Sequence, residues 1–290
     1  MMWGVFIFTY QYAVIGGDMR QVLLLQDFAG KHSCIRFGIG EACENAEEAT
    51  SIEQAVSKAK NLLLPIPMCK GDKLNIQQGE AITKEQLLEY VRAGQSIFAG
   101  CIDAEWKWKA FEKGVVCYDY MEENTIAIYN SIATAEGTLA EIIRTYPQNL
   151  HGTKVLVLGF GKCARTLAAK LKALDAKVSV AARSENALME AYVGGYHTVK
   201  LDALPGVIGE YPVIVNTIPA RILTKQELPH LKKEAIVYEI ASMPYGVDVE
   251  AAKELGITVY ICSALPAKYA PVSSAEILKQ YIIKKQGGNT

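Results

Sequence analysis

Three groups of residues in this chain have types and spacings that could do chemistry. The first is Gly159-Phe160-Gly161-Lys162-Cys163-Ala164. Glycine at 159 permits a tight turn, Gly161 lets backbone approach a pyrophosphate, and Ala164 lets a helix pack closely on a strand. A helix opening there presents unpaired N–H groups and a positive dipole end to phosphate. The second group is Arg183-Ser184, where an NAD site usually carries an acid for the ribose 2′-hydroxyl. An arginine with a hydroxyl would instead bind a 2′-phosphate through charge-assisted hydrogen bonds, which points to NADP. The third group lies at the ends of other predicted strands. Asn216-Thr217-Ile218-Pro219 would contact the cofactor, Ser242 and Lys268 would face the same crevice, and Lys268 could hold a carboxylate. In the N-terminal half, Gly16-Gly17-Asp18-Met19-Arg20 allows close approach of a ligand, and Arg20 could clamp a carboxylate bidentately. Glu136 is the obvious carboxylate in the cleft expected between the two halves.

The elements that would position these groups follow from hydrophobic periodicity. Lys154–Leu158 reads as a buried strand, and Ala164, Leu167, Ala168, Leu171 and Leu174 form a helical stripe. Lys177–Ala182 is the next strand, closing a βαβ unit. Further strands are predicted at His197–Leu201, Val213–Asn216, Ala235–Ile240 and Val259–Ile261, one of the intervening helices being capped by Thr224-x-x-Glu227. Six such repeats predict the doubly wound strand order 3-2-1-4-5-6.

Upstream, strands are predicted at Ala13–Ile15, Cys34–Phe37, Leu62–Pro67, Ser96–Ala99 and Val115–Tyr118. Ser51-x-x-Gln54 and Thr83-x-x-Gln86 read as capping boxes for helices between them. This predicts a five-stranded parallel layer of flavodoxin type. A helix opening at Asn130 and running to about Tyr146 would cross to the second domain. The last helix, announced by Ser273-x-x-Glu276, would return to the first. The expectation is thus two Rossmann-like, doubly wound α/β domains with a cleft between them. Residues 1–129, completed by helix 272–290, would form the substrate domain, and 130–271 the NADP domain.

Composition excludes several classes. With 290 residues, half of them hydrophobic, and a formal net charge of −1, the chain suits a globular enzyme and shows no nucleic-acid footprint. Its seven cysteines are scattered without a C-x-x-C, which suits reduced thiols in the cytoplasm and predicts no metal site. The apolar start, Met1–Tyr10, lacks a basic n-region and is read as an extra or loosely held N-terminus of a soluble protein with no membrane association. The four histidines all fall away from the strand ends, which disfavours the histidine acid–base chemistry of D-2-hydroxyacid dehydrogenases.

Seven ordered motifs carry a family resemblance. They are Gly16-Gly17-Asp18-x-Arg20-Gln21, Asn130-Ser131-x-x-Thr134-Ala135-Glu136-Gly137, Gly159-x-Gly161, Ala182-Arg183-Ser184, Asn216-Thr217-Ile218-Pro219, Ala241-Ser242-x-Pro244-x-Gly246-x-Asp248 and Leu265-Pro266-x-Lys268-x-Ala270-Pro271. Together they resemble the A subunits of dipicolinate synthase. Val272-Ser273-Ser274-Ala275 departs from that pattern, as do Cys163 and the third fingerprint position. The resemblance implies NADP-dependent oxidation of dihydrodipicolinate to dipicolinate, in the cytoplasm of a sporulating mother cell, with the flavoprotein-like B subunit of dipicolinate synthase as partner. A homo-oligomer is also compatible. On that reading Arg20 and Lys268 would hold the ring carboxylates, with Asp18, Thr134 and Ser242 beside them and Glu136 as the candidate base. Gly159, Gly161, Lys162, Cys163, Ala164, Arg183, Ser184, Asn216, Thr217, Ile218 and Pro219 would hold NADP. The alternatives are a shikimate- or 2-hydroxyacid-type dehydrogenase, and a non-catalytic NADP-binding protein.

Overall fold

The computed structural model describes residues 7–80 and 82–287, so most of the apolar start lies outside the described residues. The chain divides into two units. The first comprises Met1–Ala127 with Ala270–Thr290, and the second Ile128–Tyr269.

In the first unit the chain runs β1 (Tyr10–Ile15), α1 (Met19–Ala29), β2 (Cys34–Phe37), β3 (Ala46–Glu48), α2 (Ile52–Lys58) and β4 (Ala59–Leu63). A small antiparallel hairpin of β5 (Cys69–Lys70) and β6 (Lys73–Leu74) follows, then α3 (Lys84–Tyr90), β7 (Ser96–Ala99), α4 (Ala104–Glu112) and β8 (Val116–Asp119). Six strands, not the expected five, form the parallel sheet β3-β2-β1-β4-β7-β8. The five anticipated strands keep the flavodoxin order, and β3 extends the edge to a Rossmann-like order. Ala46-Glu47-Glu48 has no apolar alternation to betray it. It is held by pairing with β2 and by the Arg36–Glu48 ion pair at 2.7 Å. Tyr10, read as part of the loose N-terminus, is already in β1, paired with Ala59.

The central strands are buried on both faces, as parallel sheets covered by helices require. Ile52, Val56, Leu87 and Trp106 cover one face, and Leu24, Leu25 and Phe28 of α1 cover the other. Thr83 and Gln86 make the full reciprocal box. At Ser51 the reciprocal half is missing, because the Gln54 side chain accepts from Thr50 N (2.7 Å) one residue upstream. The final helix α11 (Pro271–Lys285) packs Leu278 and Ile282 beside α1, and its Lys279 pairs with Asp27 at 3.0 Å. It opens at Pro271 rather than at a Ser273 cap, since proline's fixed φ suits the first helical position. Glu276 pairs with Lys279 instead of reaching back.

The helix expected from Asn130 is α5 (Asn124–Thr145), starting six residues earlier. Asn130 does not cap it. Thr134 Oγ1 donates to Asn130 O (2.9 Å) and Ser131 Oγ to Ile128 O (2.6 Å), so these polar residues bond inside the helix.

The second unit continues with β9 (Lys154–Leu158), α6 (Lys162–Ala173), β10 (Lys177–Ala182), α7 (Glu185–Val193), β11 (His197–Lys200) and α8 (Leu204–Val207). Then come β12 (Val213–Asn216), β13 (Ile236–Glu239), α9 (Val249–Glu254), β14 (Thr258–Ile261) and α10 (Leu265–Tyr269). The parallel sheet has the order β11-β10-β9-β12-β13-β14, the 3-2-1-4-5-6 arrangement anticipated from sequence. Thr224 and Glu227 do bond to each other, but only the short 3-10 turn Leu228–His230 follows instead of a helix. Pro229 disfavours α-helical backbone at the residue before it. Lys268, expected in a loop, lies in α10.

Candidate functional site

In the second unit the turn between β9 and α6 has an open, uncapped geometry. Gly159 has φ +96°, and a Cβ there would lie 2.5 Å from Thr217 Oγ1, so only glycine fits. Gly161 differs. Its φ is −79°, and nothing lies within 4 Å of the place a Cβ would occupy. No contact among the described residues calls for glycine there, whereas a phosphate brought against the backbone would. Gly161 is the N-cap of α6, makes no side-chain cap, and has no acid in the turn after it. The first amides of a twelve-residue helix are therefore left for an anion.

Ala164 is fully buried in the core beneath this turn. Lys162 is exposed. Burial pushes the Cys163 thiol up, while a hydrogen bond with Thr134 acts the other way. Thr134, expected at the substrate, is thus set against the second residue of α6. Arg165, which the motif spacing does not single out, folds onto the turn: Nε donates to Phe160 O at 2.9 Å, and the guanidinium lies 5.0 Å from the Phe160 ring centre.

The β9–β10 register pairs Leu158 with Ala181, so Arg183 follows the strand end adjacent to Gly159. Its exposed guanidinium has no partner among the described residues. Ser184 caps α7, its Oγ accepting from Ala187 N at 3.4 Å. These residues fit a dinucleotide: bare helix amides for the pyrophosphate, and a free cation on the neighbouring strand end.

The end of β12 is tied inward. Asn216, expected to touch the cofactor, is fully buried, and its Nδ2 donates to both oxygens of Glu239 at 2.8 and 2.9 Å. Thr217 Oγ1 donates to Leu158 O at 2.7 Å, pinning this loop to the fingerprint strand. Ile218 is half-buried, Pro219 exposed, and Ser242 lies exposed on the loop after β13. Glu239 itself was not anticipated. An acid ending the otherwise apolar strand Ile236-Val237-Tyr238 was the available signal.

Two candidate residues of the second unit are held in ion pairs. Glu136 on α5 accepts from Lys170 of α6 at 2.9 Å. Lys268 is bound to Glu141, which also takes hydrogen bonds from Arg144 and Tyr269, so Lys268 is not the free cation the sequence suggested. These donors hold the Glu141 carboxyl well below the usual range, at about 2.

In the first unit Arg20 is 4% exposed. It donates from Nε to Asp18 Oδ1 (2.9 Å) and from Nη2 to Asp18 Oδ2 (2.7 Å) and Ile66 O (3.0 Å). Asp18 is therefore the partner of Arg20 and the cap of α1. Nη1 is the guanidinium nitrogen with no hydrogen bond among the described residues. Nearby, Asp119 at the end of β8 accepts from the backbone amides of Cys101, Ile102 and Met121.

Among the described residues no helix is long and apolar enough to cross a membrane, and no group of three or more His, Cys, Asp or Glu residues could hold a metal.

Comparison with known proteins agrees with this architecture. The family model for the N-terminal domain of the dipicolinate synthase A subunit matches residues 11–121. The model described as "S-adenosyl-L-homocysteine hydrolase, NAD binding domain" matches residues 130–270, which marks an NAD(P)-binding type of domain. The A subunit of dipicolinate synthase from Bacillus subtilis is 28% identical over 279 residues, covering 94% of each chain. The crystal structure of the corresponding protein from Bacillus halodurans superposes with a TM-score of 0.85 at 27% identity, covering 95% of this chain and 97% of the other. The Bacillus subtilis structure gives 0.81 at 27% identity, covering 98% and 97%. With matches spanning nearly the full length on both sides, the chain is similar from end to end to the A subunits of dipicolinate synthase.

Proposed function

We propose that this chain oxidises dihydrodipicolinate to dipicolinate with NADP, as the A subunit of dipicolinate synthase in the cytoplasm of a sporulating mother cell, working with the B subunit. The observation that carries the cofactor half is the pairing of an open Gly161 cradle with an unpartnered Arg183 on the adjacent strand end. Bound NADP supplies the hydride acceptor. One hydride leaves a ring carbon and one proton leaves the ring, so the product is the aromatic pyridine. Aromatisation makes the step downhill, and positioning with electrostatics supplies most of the catalysis.

The protein's own work is anchoring. In the second unit, the α6 amides bind pyrophosphate and Arg183 binds the 2′-phosphate. In the first, Arg20 takes a ring carboxylate through Nη1 while Asp18 fixes the orientation of its plane. Ser242 is the exposed hydroxyl available for the substrate in the second unit, and Glu136 is the candidate proton acceptor. Lys268, tied to Glu141, drops out of the anchoring set.

The test is incubation of the purified chain with enzymatically generated dihydrodipicolinate and either NADP or NAD, with and without the B subunit. Pyridine absorbance and NADPH should rise together, faster when the B subunit is present. Arg20→Ala should lower turnover strongly while NADP affinity stays near normal, and Glu136→Gln should lower it less. Reduction of NADP by shikimate or a 2-hydroxy acid, and none by the dihydropyridine even with both proteins present, would overturn the reading. NADP binding without any turnover would make the chain a non-catalytic component.

A further inference from the structure

Glu239 is a costly side chain to bury. It is fully buried, no cation among the described residues pairs with it, and desolvation pushes its carboxyl above the usual range. Transferring a carboxylate out of water without a counter-charge is unfavourable, and a site needing only volume would take an apolar residue. Here the hydrogen bonds to Glu239 come from neutral donors in two loops at strand ends. Asn216 Nδ2 reaches both oxygens, at 2.8 and 2.9 Å. Ala241 N (2.9 Å) donates to Oε1, and Gly246 N (2.9 Å) and Val247 N (3.0 Å) donate to Oε2.

These bonds tie the two loops into one piece. Asn216, besides holding Glu239, donates to Ile218 O (3.0 Å) and accepts from Ile218 N (3.2 Å). Gly246 is packed so closely that a Cβ would fall 2.3 Å from Asn216 Nδ2. Its carbonyl accepts from Ile222 N and Leu223 N at 2.8 and 2.9 Å. Thr217, at the start of the same loop, is hydrogen-bonded to Leu158 O beside Gly159. One carboxylate therefore sets the backbone of residues 217–218 and 241–247 against the fingerprint turn. Both loops lie at the carboxyl ends of β12 and β13, across the switch point from β10 and Arg183, where a dinucleotide's second half is bound in sheets of this order.

We propose that Glu239 is a positioning residue for the nicotinamide half of the dinucleotide, acting through Asn216, the Thr217–Ile218 backbone and the Ala241–Val247 loop. The inference rests on the NADP reading above. An acceptor-only group is needed, because in either orientation the amide of glutamine would turn a donor toward a backbone N–H, that of Ala241 on one side or those of Gly246 and Val247 on the other. The adenosine half, held by Arg183 and the α6 amides, does not depend on this cluster.

The test is calorimetric titration of the full chain with NADP and with adenosine 2′,5′-bisphosphate, which carries only the adenosine end. In Glu239→Gln, NADP affinity should fall about tenfold or more, a loss of about 1.4 kcal/mol or greater, while the bisphosphate affinity stays within about twofold. Hydrogen exchange at Ala241, Gly246 and Val247 should accelerate in the same variant. Asn216→Ala, which keeps the carboxylate and removes its side-chain donor, should show the same split and stands in if Glu239→Gln does not fold. Equal losses for both ligands, unchanged NADP affinity, or failure of both variants to fold would overturn the proposal, making Glu239 a folding group only. A parent chain that binds neither ligand overturns the cofactor reading itself and this inference with it.

Discussion

The two units open their sheets with the same device, a glycine-rich turn from the first strand into a helix, and finish it in opposite ways. At β1–α1 the helix end is closed. Asp18 caps it by accepting from Arg20 N, Gln21 completes the reciprocal box, and the Asp18 charge is matched by the Arg20 guanidinium. A Cβ at Gly16 would fall 2.6 Å from Ile76 Cγ2, and one at Gly17 2.5 Å from the Gln21 side chain. At β9–α6 the cap residue is glycine, the space above it is open, and no carboxylate in the first turn answers the helix dipole. The strand order is the same, so topology does not decide which turn takes a phosphate. What differs is that the chain has already placed its own anion at the first turn and none at the second.

The largest effect should come from making the second turn resemble the first. Gly161→Asp supplies a capping carboxylate, which changes helix stability by only about a few tenths of a kcal/mol, and puts a negative charge where phosphate would lie. Thermal unfolding should move little, while NADP affinity falls on the order of 100-fold, about 2.7 kcal/mol. Retained NADP affinity in a folded variant would remove the distinction drawn between the turns.

Arg183→Ala sharpens the same contrast one strand over. Loss of a charge-assisted contact should weaken NADP by about 1.5–3 kcal/mol and leave NAD unchanged, measured by titrating both cofactors. An equal loss for the two, or a parent that prefers NAD, would show that the guanidinium does not read the 2′-phosphate. Gly159→Ala separates geometry from ligand binding: at φ +96° and 2.5 Å from Thr217 Oγ1 it should cost about 1–3 kcal/mol of stability without any ligand present. Gly161→Ala, in open space at an ordinary φ, should leave the melting temperature nearly unchanged. Equal destabilisation by the two alanines would undo the reading of Gly161 as a ligand-facing glycine.

How far the sequence could be read depended on how local each signal is. The Gly159–Ala164 turn was legible because glycine spacing, strand and helix are contiguous. The strand order followed from the alternation of elements along the chain. β3 was hidden because its stability comes from edge pairing and not from its own side chains. The inward tie of Asn216 to Glu239 was not legible because sequence does not say which way a short polar group at a strand end faces. Glu239 was invisible as a clamp because its partners are 2 to 23 residues away and mostly backbone. Lys268 looked like a free cation because Glu141 lies 127 residues earlier in the chain.

That last pair gives a small expected effect, and it bears on how each unit uses a carboxylate to hold a candidate anchor. In the first unit Asp18 holds Arg20 within one helical turn; in the second Glu141 holds Lys268 across a long loop of sequence. The Lys268, Arg144 and Tyr269 hydrogen bonds lower the Glu141 carboxyl to about 2. A carboxyl held below its unfolded value contributes stability that is fully present above the ordinary carboxylate range. That stability is lost as pH falls through the folded value. Lys268 and Arg144 are 56% and 63% exposed, so solvent screens the pairs, and the contribution is about 1 kcal/mol after that discount. Glu141→Gln should therefore melt at a lower temperature than the parent at pH 7, with the gap narrowing as pH drops from about 5 toward 2. A gap that stays constant over that range would show that Glu141 stabilises the helix by packing, and that Lys268 is not held by charge.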